Sequence, residues 1–249
     1  MESPYLYIGT SGWSYKHWSG IFYPENIKPD KYLEHYITKF PCVELNASFY
    51  HLPLKTTVSG WLTRTPESFR FCPKLSRFIT HQLHLVNIEE PFQIFFKVFE
   101  SMKERLGPVL IQLPPGLSYD KPLICKFFDL IKENYNNYRF AVEIRNKSWF
   151  NDGFFDLLAG YKIALVIADS GNRYPYHEAI TADFVYIRFH GPEQLYASNY
   201  SETILQQYGD KIRNWLADGE KVWAFFNNDY YGFAIKNAQR LKEIVDRLN

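Results

Sequence analysis

Six residues of this chain have types and positions that could do chemistry together: Glu44, Lys74, Glu143, Arg145, Arg188 and His190. Each stands at or near the C-terminal end of a short apolar run, as do Asn46, Gln112, Asp169, Asn227 and Asn228. A charged side chain is costly in a dry core unless it is paired and hydrogen-bonded. Repeated over roughly eight runs, the pattern describes polar strand ends gathered around one reaction cup. Arg145, Arg188 and Lys74 suit a clamp for phosphate or carboxylate. Glu143 and His190 are then the proton carriers, and Lys74 is a third catalytic candidate through its amine. Glu44, Asn46, Gln112, Asp169, Asn227 and Asn228 would line the cup, with Trp13, Tyr50 and Trp149 offering flat faces.

Other chemistries fit less well. Glu44 and Glu143 could flank a glycosidic bond, but cations nearby lower a carboxyl pKa where a general acid needs it raised. Glu143, Asp169 and His190 could hold a divalent metal, yet Arg145 and Arg188 would repel it, so no cofactor is expected. His81 and His84 lack neighbouring carboxylates and read as surface or capping residues. The non-functional alternative is a structural ion-pair network, Glu44 with Lys74 and Glu143 with Arg145 or Arg188.

Strand-type and helix-type patterns alternate along the chain. Strands are expected at Tyr5–Trp13, Cys42–Tyr50, Arg70–Arg77, Val109–Leu113, Phe140–Arg145, Ala164–Ser170, Phe184–Gly191 and Val222–Asn228. Helices are expected at Lys31–Phe40 with Asp30 as cap, Thr57–Thr65, Glu90–Leu106, Asp120 to Asn134, Asn151–Ala159, Ser201–Ala217 and Ala234–Leu248. Residues 170–183 are too polar and short for a full helix. Strand parity places Glu143 with Arg145, Tyr186 with Arg188 and His190, and Glu44 with Asn46 and Ser48 on inward faces. Gly9-Thr10-Ser11-Gly12-Trp13 after the first strand is no dinucleotide fingerprint. Eight strands without a linker predict one α/β domain over residues 1–249, a (β/α)8 TIM-type barrel with a reduced helical layer between strands 6 and 7.

The formal net charge of +1 gives no electrostatic case for nucleic-acid binding. Cys42, Cys72 and Cys125 are widely separated, which suits a reducing compartment and excludes a disulfide scaffold. No signal-type N-terminus or membrane-spanning run is visible, so the cytoplasm is the expected location and no membrane partner is expected.

Several motifs resemble the YecE-like family, known as domain of unknown function 72. They are Gly9-Thr10-Ser11-Gly12-Trp13, Phe22-Tyr23-Pro24, Glu44-Leu45-Asn46 with Ser48-Phe49-Tyr50, and Thr80-His81. Gln112-Leu113-Pro114-Pro115, Glu143-x-Arg145 with Ser148-Trp149, Arg188-x-His190-Gly191 and Phe226-Asn227-Asn228 extend the likeness nearly end to end. The resemblance implies a TIM-type barrel and brings no established reaction. The family often has histidine after the Glu-x-Arg arginine, where this chain has Asn146. The expected activity is acid/base catalysis on a small anionic metabolite. The alternatives are a non-catalytic binding or scaffold protein, and a metal-assisted hydrolase or nucleic-acid-processing enzyme.

Overall fold

The computed structural model describes residues 5–247. Its strands are β1 (Leu6–Thr10), β2 (Cys42–Leu45), β3 (Arg70–Pro73), β4 (Val109–Gln112), β5 (Phe140–Glu143), β6 (Ala164–Asp169), β7 (Phe184–Phe189) and β8 (Lys221–Phe226). The α-helices are α1 (Tyr32–Tyr36), α2 (Ala47–Tyr50), α3 (Lys55–Thr63), α4 (Glu89–Phe99), α5 (Lys121–Asn134), α6 (Asp152–Tyr161), α7 (Glu202–Ala217) and α8 (Phe233–Asp246). No helix joins β6 to β7. Leu248, expected in the closing helix, lies outside the described residues. Among the described residues no helix is long and apolar enough to cross a membrane.

The closed eight-strand barrel expected from the sequence does not form. Hydrogen bonding runs β1-β8-β7-β6-β5-β4 in one six-stranded sheet, and β2 pairs with β3 in a separate two-stranded one. The β1–β8, β7–β8, β4–β5 and β5–β6 ladders are parallel. Where closure would require ladders, single bridges stand instead: Ser11 with Glu44, Phe71 with Leu106 and Lys74 with Leu110. The physical reason is length and chemistry. β2 and β3 have four residues each. β2 gives way at Asn46, which is αR, to the short helix α2. β3 ends on Pro73, which has no N–H to give a ladder.

The chain divides into two compact units. The first comprises Met1–Glu44, Ile167–Tyr176 and Asp183–Asn249, and the second Leu45–Val166 and His177–Ala182. In the first, α8 buries Ala234, Ile235, Ala238, Leu241, Ile244 and Val245, the stripe its 3.6-residue period predicts. In the second, α4 buries Phe92, Phe95, Phe96 and Phe99. Phe92 and Phe96 meet Tyr135 at ring separations of 4.8 and 4.6 Å, so much of the aromatic content is core. Each such ring contributes roughly 1.5–3 kcal/mol on burial.

Helix starts follow local chemistry. Asp120, Asn151 and Ser201 accept from Leu123, Phe154 and Ile204 backbone N–H groups, capping α5, α6 and α7. The expected Asp30 cap is not used: a 3₁₀ turn at Pro29–Lys31 precedes α1, whose N-cap is Lys31. The expected helix to Leu106 changes to 3₁₀ over Glu100–Arg105.

Candidate functional site

In the second unit the ends of β3, β4 and β5 present four chemically active side chains, Lys74, Gln112, Glu143 and Arg145. Lys74, one residue past β3 and 7% exposed, donates from Nζ to Gln112 Oε1 at 2.7 Å. The same ammonium stands 3.9 Å from the centre of the Phe49 ring. An amide oxygen and an aromatic face are both partners that suit an ammonium group. Gln112 is the register partner of Glu143 across β4 and β5. Glu143 is fully buried, and its Oε1 accepts from Arg145 Nε at 2.8 Å. Of the ion pairs expected from sequence, Glu143–Arg145 is present.

His81 completes this group, and the sequence alone did not select it. It lies on a π-helical turn, Phe78–Gln82, a rare geometry that is frequent at functional sites. Thr80 Oγ1 is 2.8 Å from its Nδ1, and the Phe49 ring meets it edge-on at 5.1 Å. Burial first, then the positive charges of Lys74, Arg77 and Arg145, with His84, lower the imidazole pKa to about 4. The residue is therefore neutral at pH 7 in a cationic setting. The sequence signal for it is Thr80-His81, a pair with no carboxylate adjoining it in the chain.

Parity had put Asn46 and Ser48 on β2's inward face, but both lie past its end. Asn46 precedes α2, and its Oδ1 is buried without a hydrogen-bond partner. Ser48 Oγ donates to the carbonyls of Leu45 and Lys74, tying α2 to the end of β3. Tyr50 is 66% exposed and packs its ring edge-on to Phe49 at 5.0 Å. Trp149 is buried, with its indole N–H given to Leu117 O, so it is a core ring rather than an open platform. Asn146 donates to Pro115 O and caps a 3₁₀ turn, Lys147–Trp149, a structural use of this position.

In the first unit, Glu44 is saturated. Its Oε1 accepts from Ser11 Oγ and Arg188 Nη2, each at 2.7 Å, and its Oε2 from Tyr186 Oη at 2.8 Å and Arg188 Nε at 2.9 Å. Glu44 therefore pairs with Arg188, whereas the sequence suggested Lys74. The bidentate grip leaves Arg188, 1% exposed, an internal counter-ion. His190 is buried, with Nδ1 3.2 Å from Asn227 Nδ2 and the rings of Tyr174 and Tyr196 beside it. Asp169 accepts from Tyr200 and Tyr208 hydroxyls at 3.0 and 2.8 Å. Burial, then the Asp169 charge, pushes both phenols far above their ordinary pKa. Asn228 donates to Ser198 O and Asn237 Oδ1, fixing the chain after β7. Trp13 is half-buried and its carbonyl accepts from Tyr23.

Sequence reasoning missed one further pair. His17 Nε2 lies 2.8 Å from Asp229 O and 3.9 Å from its carboxylate, a contact spanning 212 residues that no spacing reveals. Burial raises the Asp229 pKa, against a backbone hydrogen bond and His17, which lower it. Glu143, Asp169 and His190 form no metal cage: among the described residues no three His, Cys, Asp or Glu side chains gather to hold an ion.

Residues 7–249 match the family described as "Protein of unknown function DUF72". The chain is 27% identical over 275 residues to the UPF0759 protein YunF of Bacillus subtilis, covering 97% of this chain and 95% of that one. It is 30% identical over 149 residues to the UPF0759 protein YecE of Escherichia coli K12, covering 59% of this chain and 51% of YecE. A crystal structure of a DUF72 family protein from Thermotoga maritima superposes with a TM-score of 0.87 at 30% identity, over 97% of this chain and 99% of that one. One from Enterococcus faecalis gives a TM-score of 0.83 at 20% identity, over 97% and 95%, which shows a shared fold.

Proposed function

The chain belongs to the DUF72 family of unknown function, so its activity has to be argued from its own side chains, and we propose that it is an enzyme using acid/base chemistry on a small molecule bearing phosphate or carboxylate. The observation that carries this reading is the charge balance at the ends of β3 and β5. Lys74 and Arg145 stand against one carboxylate, Glu143, and the positive field is strong enough to help keep His81 neutral. An anion entering there would meet Lys74 and Arg145 as a clamp. Its charge would also offset the field on His81 and raise the imidazole toward the range where it can take and return a proton at neutral pH. Glu143 orients Arg145 and is the second proton carrier. Glu44, Arg188 and His190 are not carried into this site, because the first two saturate each other and the third is enclosed by rings.

The mechanism needs only these side chains. Three free, separated cysteines accord with a cytoplasmic protein. The experiment is a thermal-shift and calorimetric titration with inorganic phosphate and acetate. Wild type should bind at least one of them, and Arg145→Ala should weaken binding about tenfold or more. Unchanged binding in Arg145→Ala and Lys74→Ala would defeat the clamp. A metabolite screen that finds turnover lost in His81→Asn, with binding kept, separates catalysis from the rival reading of a passive binding protein.

A further inference from the structure

Resting on that anion-clamp reading, we infer that the ligand carries a flat apolar or aromatic group beside its anion, and that Tyr50 is the surface on which this group stacks. A Tyr ring left 66% exposed loses the apolar burial that usually holds it, and this one is attached to the cluster through a defined path. Tyr50 closes α2, directly after Phe49. Phe49 is buried, and its ring meets three things: Tyr50 edge-on at 5.0 Å, His81 edge-on at 5.1 Å, and the Lys74 ammonium over its face at 3.9 Å. The cation and the proton carrier thus share one aromatic spacer with the exposed ring. Ser48 fixes that arrangement by binding Lys74 O and Leu45 O, so α2 cannot turn without disturbing the end of β3. A bound anion at Lys74 with a planar substituent has Tyr50 as a stacking partner one ring away. A bare inorganic ion uses none of this.

The test compares two matched pairs, inorganic phosphate against phenyl phosphate and acetate against benzoate, by calorimetry on the full chain. The pairs separate phosphate from carboxylate as the preferred anion. Wild type should favour the aromatic member of the preferred pair about tenfold, the size of one stacking contact. Tyr50→Ala should abolish that preference, and Tyr50→Phe should restore it. A wild type with no preference, or a Tyr50→Ala variant that keeps it, overturns the inference while the clamp stands. A wild type that binds none of the four ligands overturns the clamp itself, and this inference with it.

Discussion

Glu44 and Arg188 are buried together, and the geometry that makes them a poor anion clamp makes them important to stability. Removing one partner of such a pair strands a charge, at a cost of about 3–5 kcal/mol. Glu44→Gln should therefore lower unfolding free energy by that order in urea, whereas Glu44→Leu with Arg188→Leu should recover much of the loss. Equal stability of Glu44→Gln and wild type would contradict the buried pairing. His81 makes stability depend on pH. Its folded pKa, about 4, lies below the ordinary value near 6.5, so the unfolded chain binds the proton first. The stability it permits is intact above about pH 6.5 and is lost as pH falls through that window towards 4. His81→Asn should flatten the fall in melting temperature over this range; parallel curves for the two proteins would refute the assignment. The parity of β7 made Tyr186 and Arg188 legible as a pair facing one way, and both do reach Glu44. His17 with Asp229 was not legible, since residues so far apart are joined only by the fold.

At the scale of elements, short-range signals were the readable ones. Asp120 ahead of Lys121-Pro122 announces α5, and Asp120→Ala should cost about 1 kcal/mol in thermal or urea unfolding. The link after β6 reads from its glycine. Gly171 has φ +55°, and a β-carbon there would fall 1.7 Å from the Pro192 carbonyl oxygen. Gly171→Ala should therefore destabilise by about 2 kcal/mol, and a neutral result would mean the loop adopts another path. Strand ends were harder to read. Arg70–Arg77 looks continuous as an apolar-polar alternation, but pairing, not composition, decides where a strand stops, and β3 ends at Pro73. The π turn carrying His81, Phe78–Gln82, has no periodic pattern in the sequence that marks it.

For the molecule as a whole, alternation of strands and helices gave the class, and closure was the overreach. Counting eight strands says nothing of whether four-residue members can sustain ladders on both sides, and here single bridges replace them. With a net charge of +1, the chain should show no saturable, salt-sensitive complex with DNA or RNA at physiological salt, as a filter or anisotropy assay would reveal. The pairing of β1 with β8 has a consequence for synthesis. Leu6 meets Val222 in register, so β1 is completed only when β8 has been made. Until residue 226 has left the ribosome, β1 has no ladder on that side and presents open amide and carbonyl groups to solvent. Nascent chains arrested before residue 221 should thus be captured by holding chaperones and cut readily near residues 6–10, and emergence of β8 and α8 should end both.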